Sequence, residues 1–101
     1  MDLPTITEAL RANLGEDSGL DAVLKFDCGA DGVVVLDGVS LPNRVVNDDI
    51  EADCTVAISL TDLVALMKGK LNPMTGYMTG RLRVSGNLKV AMKLQKVLGG
   101  A

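Results

Sequence analysis

Between residues 20 and 28 this chain alternates without a break. Leu20, Ala22, Leu24, Phe26 and Cys28 fall on one side of an extended backbone, and Asp21, Lys25 and Asp27 fall on the other. A period of two buries one face only when the segment is a strand. The same period returns at 52–58, where Ala52, Cys54, Val56 and Ile58 share a face, and at Arg81-Leu82-Arg83-Val84-Ser85, held between Gly80 and Gly86. Val33-Val34-Val35-Leu36 is a short apolar run with no polar alternate, which predicts a strand covered on both faces. Ala30-Asp31-Gly32 ahead of it reads as a hairpin turn. Pro42-Asn43 marks a further turn, and Arg44-Val45-Val46 a short strand after it.

Helical spacing separates these segments. Ile6, Leu10 and Leu14 stand four apart; Thr5-Ile6-Thr7-Glu8 has capping-box spacing, Pro4 suits a first turn and Gly15 a stop, which predicts a helix over about 4–14. Ser59-Leu60-Thr61-Asp62 has N-cap spacing before Leu60, Leu63, Val64 and Met67, a single stripe from which Leu66 falls away. Residues 70–80 read as a loop with at most one short helix after Pro73, on which Met74, Tyr77 and Met78 share a face, although Gly76 weakens it. Asn87 caps a last helix over 88–98. Strands linked by hairpins and mixed with helices predict an α+β fold with one curved, mostly antiparallel sheet and helices packed on it. The length of 101 residues fits a single domain spanning 1–101.

Composition narrows the chemistry. Apolar residues make up 48% of the chain, yet it has one Phe, one Tyr, no Trp and five Met, so its core is aliphatic and adaptable rather than built on aromatic anchors. There is no His, which removes the usual general base and commonest metal ligand and rules out Ser-His-Asp and Cys-His arrangements. Cys28 and Cys54 form no CxxC and sit in apolar alternating stretches, where a buried free thiol is expected and a zinc site is not. The glycines at 69, 76, 80 and 86 match neither a P-loop nor a G-x-G-x-x-G pattern. A basic third with Tyr77 as its one aromatic lacks the stacking platforms of nucleic-acid binders, so no nucleic acid is expected. No signal peptide, ~20-residue apolar span or peroxisomal ending is visible, and the expectation is a cytoplasmic protein with no cofactor and no metal.

Residues 1–67 carry thirteen acids and three bases, a net −10; residues 68–101 carry seven bases and no acid, a net +7. This asymmetry suits an anionic partner, or the two halves meet in the fold and offset one another. On the last helix, Val90, Ala91, Leu94, Val97 and Leu98 form the core arc, while Leu88 and Met92 make a second, narrow stripe. That stripe faces either a ligand chamber or a neighbouring element. Met67, Met74, Met78 and Met92 fall after the central strands, where they line a deformable cavity or scatter through the core.

Asp53-Cys54-Thr55-Val56, Ser59-Leu60-Thr61-Asp62-Leu63, Gly69-Lys70-Leu71-Asn72-Pro73, the run from Tyr77-Met78-Thr79-Gly80 through Arg81-Leu82-Arg83-Val84-Ser85-Gly86-Asn87, and Ala91-Met92-Lys93-Leu94 together resemble the sterol carrier protein 2 family. The resemblance implies a five-stranded sheet covered on one side by helices, an internal apolar tunnel, and non-catalytic carriage of a fatty acid, fatty acyl-CoA or sterol. The ligand would contact Leu63, Met67, Met74, Met78, Leu82, Val84, Leu88 and Met92, with Lys70 or Lys93 near the mouth to hold an anionic group. The basic C-terminal third would touch an anionic membrane surface transiently, and the protein would be a monomer or weak dimer. A rival reading is a protein-interaction or dimerisation module using the same groove, accessory to a lipid or quinone pathway. The weakest rival is an enzyme using Cys54 as a lone thiol nucleophile.

Overall fold

The structure is a computed structural model and describes residues 2–93. Helix α1 (Leu3–Leu14) leads into β1 (Val23–Asp27), β2 (Val33–Asp37), β3 (Arg44–Val46) and β4 (Cys54–Ile58). Helices α2 (Leu60–Met67) and α3 (Pro73–Met78) follow, then β5 (Leu82–Gly86) and the short α4 (Leu88–Ala91). The remainder of the helix expected over 88–98, with Leu94, Val97 and Leu98, lies outside the described residues.

The strands form one five-stranded sheet in the order β3-β2-β1-β4-β5. Its pairs are antiparallel except β1 with β4, which run parallel with Leu24 opposite Cys54 and Phe26 opposite Val56. Because side chains alternate along every strand, register decides which residues share a face. Val45, Leu36, Leu24, Cys54 and then Val34, Phe26, Val56 and Val84 line up across the sheet on the inner face. Ile6, Leu10 and Leu14 of α1, Leu63 and Leu66 of α2 and Val90 of α4 close over it in one cluster. The other face is open except at its centre. There Val35 is fully buried between Lys25 and Val46 in register, beneath a Lys25–Asp49 ion pair of 2.6 Å. Val34, Val35 and Leu36 are thus covered, as expected from the run's lack of polar alternates, while Val33 at its start is half-buried.

Local chemistry departs from expectation in three places. The cap of α1 is Asp2, whose carboxylate accepts from the Thr5 N–H, rather than Thr5. With Pro4 in the first turn and lacking an N–H, the helix starts earlier than the capping-box spacing suggests. The Thr7 hydroxyl instead donates to the Leu3 carbonyl and accepts from the Asn47 side chain, tying α1 to the loop after β3. The β1–β2 connection closes through a 3-10 turn at Gly29–Asp31, with the Cys28 N–H donating to the Gly32 carbonyl. Helix α2 rolls toward Leu66: Leu63 and Leu66 are its buried pair, while Leu60, Val64 and Met67 are half-buried. In so short a helix the sheet beneath selects the seam, and Leu66 lies only about 60° of arc from Leu63.

Candidate functional site

Strand β5 carries the inner face to the edge of the sheet, and α3 and α4 overhang it. Asn72 starts α3, its side-chain oxygen accepting from the Met74 and Thr75 N–H groups at 2.9 and 3.3 Å. The residue that weakens this helix by propensity is the one that seats it. Gly76 is buried, and a Cβ there would stand 3.1 Å from the Leu82 Cδ2 and 3.5 Å from a Leu71 methyl. Glycine therefore lets α3 lie close against β5. At the other end Gly86 has φ +91° and lies so near β4 that a Cβ would meet the Asp53 carbonyl oxygen at 2.5 Å. The chain turns there into α4, where the Asn87 side chain accepts from the Lys89 N–H and the Asn87 N–H donates to the Asp53 carbonyl.

Between these elements lies an apolar cavity of about 490 Å³. Leu82 and Val84 of β5 form its floor, Asn72, Pro73, Met74 and Tyr77 one wall, and Leu88, Ala91 and Met92 the other. The floor is buried or half-buried, whereas the rim is open: Met74 is 65%, Leu88 57% and Met92 84% exposed. Its size falls within the range of about 300–1,000 Å³ typical of small-molecule sites. Among the described residues the space is a cavity open to solvent past these rim side chains, where an enclosed tunnel was expected.

Of the eight residues expected to touch a ligand, Met74, Leu82, Val84, Leu88 and Met92 come together around this space. Leu63 does not, because it is fully buried in the core under α2. Met67 packs against that core, and Met78 is 77% exposed but outside the lining. Tyr77, Asn72, Pro73 and Ala91 were not among the expected contacts. Tyr77 stands three residues after Met74 and Met78 four, about 60° and 40° of arc from it on opposite sides, so both share its face by spacing and only Tyr77 reaches the cavity. Helical spacing therefore held no signal for preferring Tyr77 over Met78.

The charged groups expected to serve the mouth are partly committed elsewhere. The Lys93 ammonium donates to the Leu20 carbonyl at 3.0 Å. Arg81 pairs with Asp62 at 2.6 Å, and the hydrogen bond from that guanidinium holds the Asp62 carboxyl below its usual range. Lys70 is exposed, two residues before Asn72. The Cys54 thiol is buried beneath the sheet surface and pushed up in pKa by burial, the opposite of an activated nucleophile. Burial, reinforced by Asp31 and Asp27, likewise pushes Cys28 up to about 11. Among the described residues no group of three or more Cys, Asp or Glu side chains could hold a metal ion, and no helix is long and apolar enough to cross a membrane.

Residues 7–99 match the model of the SCP-2 sterol transfer family. A stretch of 52 residues, 52% of this chain, is 54% identical to sterol carrier protein 2 of Gallus gallus, of which it covers 10%. Over 94% of the chain, identity to human stomatin-like protein 1 is 38%, covering 24% of that protein. The chain thus spans only a fraction of the length of these relatives. Among solved structures, apo sterol carrier protein 2 from Yarrowia lipolytica superposes with a TM-score of 0.78 at 23% identity, covering 95% of this chain and 88% of that one, a likeness of fold. The chain belongs to the SCP-2 sterol transfer family.

Proposed function

We propose that residues 1–101 form one non-catalytic unit that binds and carries a lipid-like apolar ligand, a fatty acid, fatty acyl-CoA or sterol, in the cavity between β5, α3 and α4. The observation that carries this reading is the cavity itself: about 490 Å³ of apolar space with an open, Met-rich rim. Its polar side chains are the Asn72 amide and the Tyr77 phenol, enough to orient a headgroup. Burying about eight methylenes there contributes ~6 kcal/mol before ordering costs. The unbranched, polarisable Met side chains suit a guest of variable shape. The reading extends to a cytoplasmic protein, monomeric or weakly dimeric, that touches an anionic membrane surface transiently.

The test is a titration of lipid-stripped protein with a fluorescent fatty acid, followed by competition with acyl-CoA and sterol. Saturable one-to-one binding that weakens in Leu88→Asp and Met92→Asp, both on the exposed rim, is the expected result. Failure of every probe to bind would refute the carrier reading. The same exposed rim suits a second reading, a dimerisation module, which sedimentation equilibrium of ligand-free protein would reveal as a concentration-dependent dimer.

A further inference from the structure

We propose that the turn between β2 and β3, tipped by Val39 and Leu41, is a docking surface for a basic amphipathic segment of a partner protein. Val39 is 59% and Leu41 74% exposed, and neither belongs to the core cluster or lines the cavity. A single exposed aliphatic side chain is ordinary on a protein surface. These two stand two residues apart on one braced turn, and the fold makes no use of either.

The bracing is polar and buried. The Asp37 carboxylate accepts from the Val39 and Ser40 N–H groups at 3.0 and 3.1 Å, from the Ser40 hydroxyl at 2.8 Å and from the Arg44 guanidinium at 3.0 Å. The Asn43 side chain donates to the Ser40 carbonyl and accepts from the N–H and hydroxyl of Ser18. The Gly38 N–H donates to the Ala22 carbonyl and the Asn43 N–H to the Glu16 carbonyl, so each arm of the turn is tied to the segment between α1 and β1. A turn fixed this way presents its aliphatic side chains on an already ordered backbone, which removes one cost of association.

The same ties set the charge around the tip. The segment they anchor carries Glu16, Asp17 and Asp21, all exposed and without an ion pair among the described residues. The bases that reach this region are largely spent. Arg44 pairs with Asp37 and Arg11 with Glu8, while Lys93, its ammonium on the Leu20 carbonyl, leaves one positive charge against three carboxylates. An apolar tip in a negative surround is complementary to apolar side chains flanked by Lys or Arg. Residues 68–93 of a second copy are also basic, but a contact between two different surfaces of one chain is head-to-tail and must close into a ring or grow into a filament. A separate partner satisfies the surface once.

The experiment follows backbone amide NMR shifts of the isotope-labelled full chain on titration with a synthetic amphipathic helix of leucine and lysine, and with its twin carrying glutamate for lysine. The lysine peptide is expected to shift amides at 16–22 and 37–43, less so as salt rises, and the twin to leave them in place. Leu41→Ser should weaken binding about thirtyfold, the loss of one buried leucine, and Val39→Ser somewhat less. Glu16→Gln, Asp17→Asn and Asp21→Asn combined should cost about tenfold, roughly twofold for each rim charge pair. Thermal unfolding and fatty-acid titration should stay near the wild type in every variant, because none of these residues lines the cavity.

Shifts confined to α3 and α4, equal binding of the two peptides, or no binding overturn the proposal. So does undiminished binding by Leu41→Ser and Val39→Ser. Shifts at 37–43 that grow with protein concentration in the absence of peptide overturn it in favour of a second copy. The turn lies outside the cavity, so the carrier reading stands or falls separately, on the fatty-acid titration.

Discussion

Replacing Gly86 with Ala strikes the point where the last strand hands over to the cavity wall, and two separable costs can be read from its surroundings. The first is conformational. At φ +91° an L-residue is strained whatever space surrounds it, at about 1–2 kcal/mol. The second is steric: the new Cβ would meet the Asp53 carbonyl oxygen at 2.5 Å and the Cys54 Cα at 3.2 Å, both backbone atoms with no rotamer to escape into. Asp53 is pinned, its N–H donating to the Val23 carbonyl at 2.9 Å and its carboxylate accepting from the Val23 N–H at 2.8 Å. Its carbonyl also accepts from the Asn87 N–H at 2.8 Å. Displacing it weakens one or two of these bonds, at about 1 kcal/mol each. The total is about 3 kcal/mol from a domain stability of order 5–15 kcal/mol.

Gly69 provides the control. It too has a positive φ, +72°, but a Cβ there would have nothing within 4 Å, so Gly69→Ala isolates the conformational cost at about 1 kcal/mol. In urea, with a slope near 1.5 kcal/mol/M, the midpoints should fall by about 2 M for Gly86→Ala and about 0.7 M for Gly69→Ala. Gly86→Ala should also weaken fatty-acid binding, because α4 hangs from the same Asp53 carbonyl. Equal midpoint shifts for the two variants would refute the steric argument and with it the close approach of β4 and β5 at this point.

Three further outcomes are expected. Leu82→Ala should cost 2–5 kcal/mol, because Leu82 is buried, whereas Leu88→Ala should cost under about 0.5 kcal/mol, although both line the cavity; thermal unfolding beside ligand titration would compare them. The Asp37 carboxyl, held from 3.8 down to about 2 chiefly by the Ser40 N–H and then by Arg44, contributes stability that is present above the unfolded value and lost as pH falls through the folded one. The stability gap between wild type and Asp37→Asn, measured by denaturant titration, should therefore narrow as pH falls from 3.8 toward 2. Cys28 and Cys54, both buried with raised pKa, should resist a thiol reagent at neutral pH in the native protein and react fully in guanidinium; rapid native labelling of Cys54 would reopen the thiol-enzyme reading.

The strands were legible because alternation is a property of consecutive residues. Leu20, Ala22, Leu24, Phe26 and Cys28 are all buried as the pattern requires, and the same alternation put Leu82 and Val84 on the inner face where the cavity floor lies. The narrow stripe of Leu88 and Met92 was legible from helical angle alone, and both line the cavity. What could not be read was where one element crosses another. Leu66 is buried because of how α2 sits on the sheet, and Leu63 is drawn into the core by the same placement. Gly76 counts against a helix by propensity, yet its missing side chain is what admits Leu82, a distant contact that a local scale does not contain. Pro73 and Ala91 reach the cavity only because α3 and α4 face each other across β5.

The cavity wall also occupies a particular place in the ladder of backbone hydrogen bonds. Strand β1 is held on both sides, by β2 and by β4, while β5 has β4 as its one neighbour and lies at the sheet's edge. Edge elements open locally at a fraction of the global unfolding free energy, and amide exchange reports them as a separate, faster class. By that rule the edges are β3 and β5, and β5 with its overhanging helices encloses the apolar space. On the carrier reading a guest would pass in or out while β1, β2 and β4 keep their protons, and the slowest-exchanging amides would mark the part that never has to move.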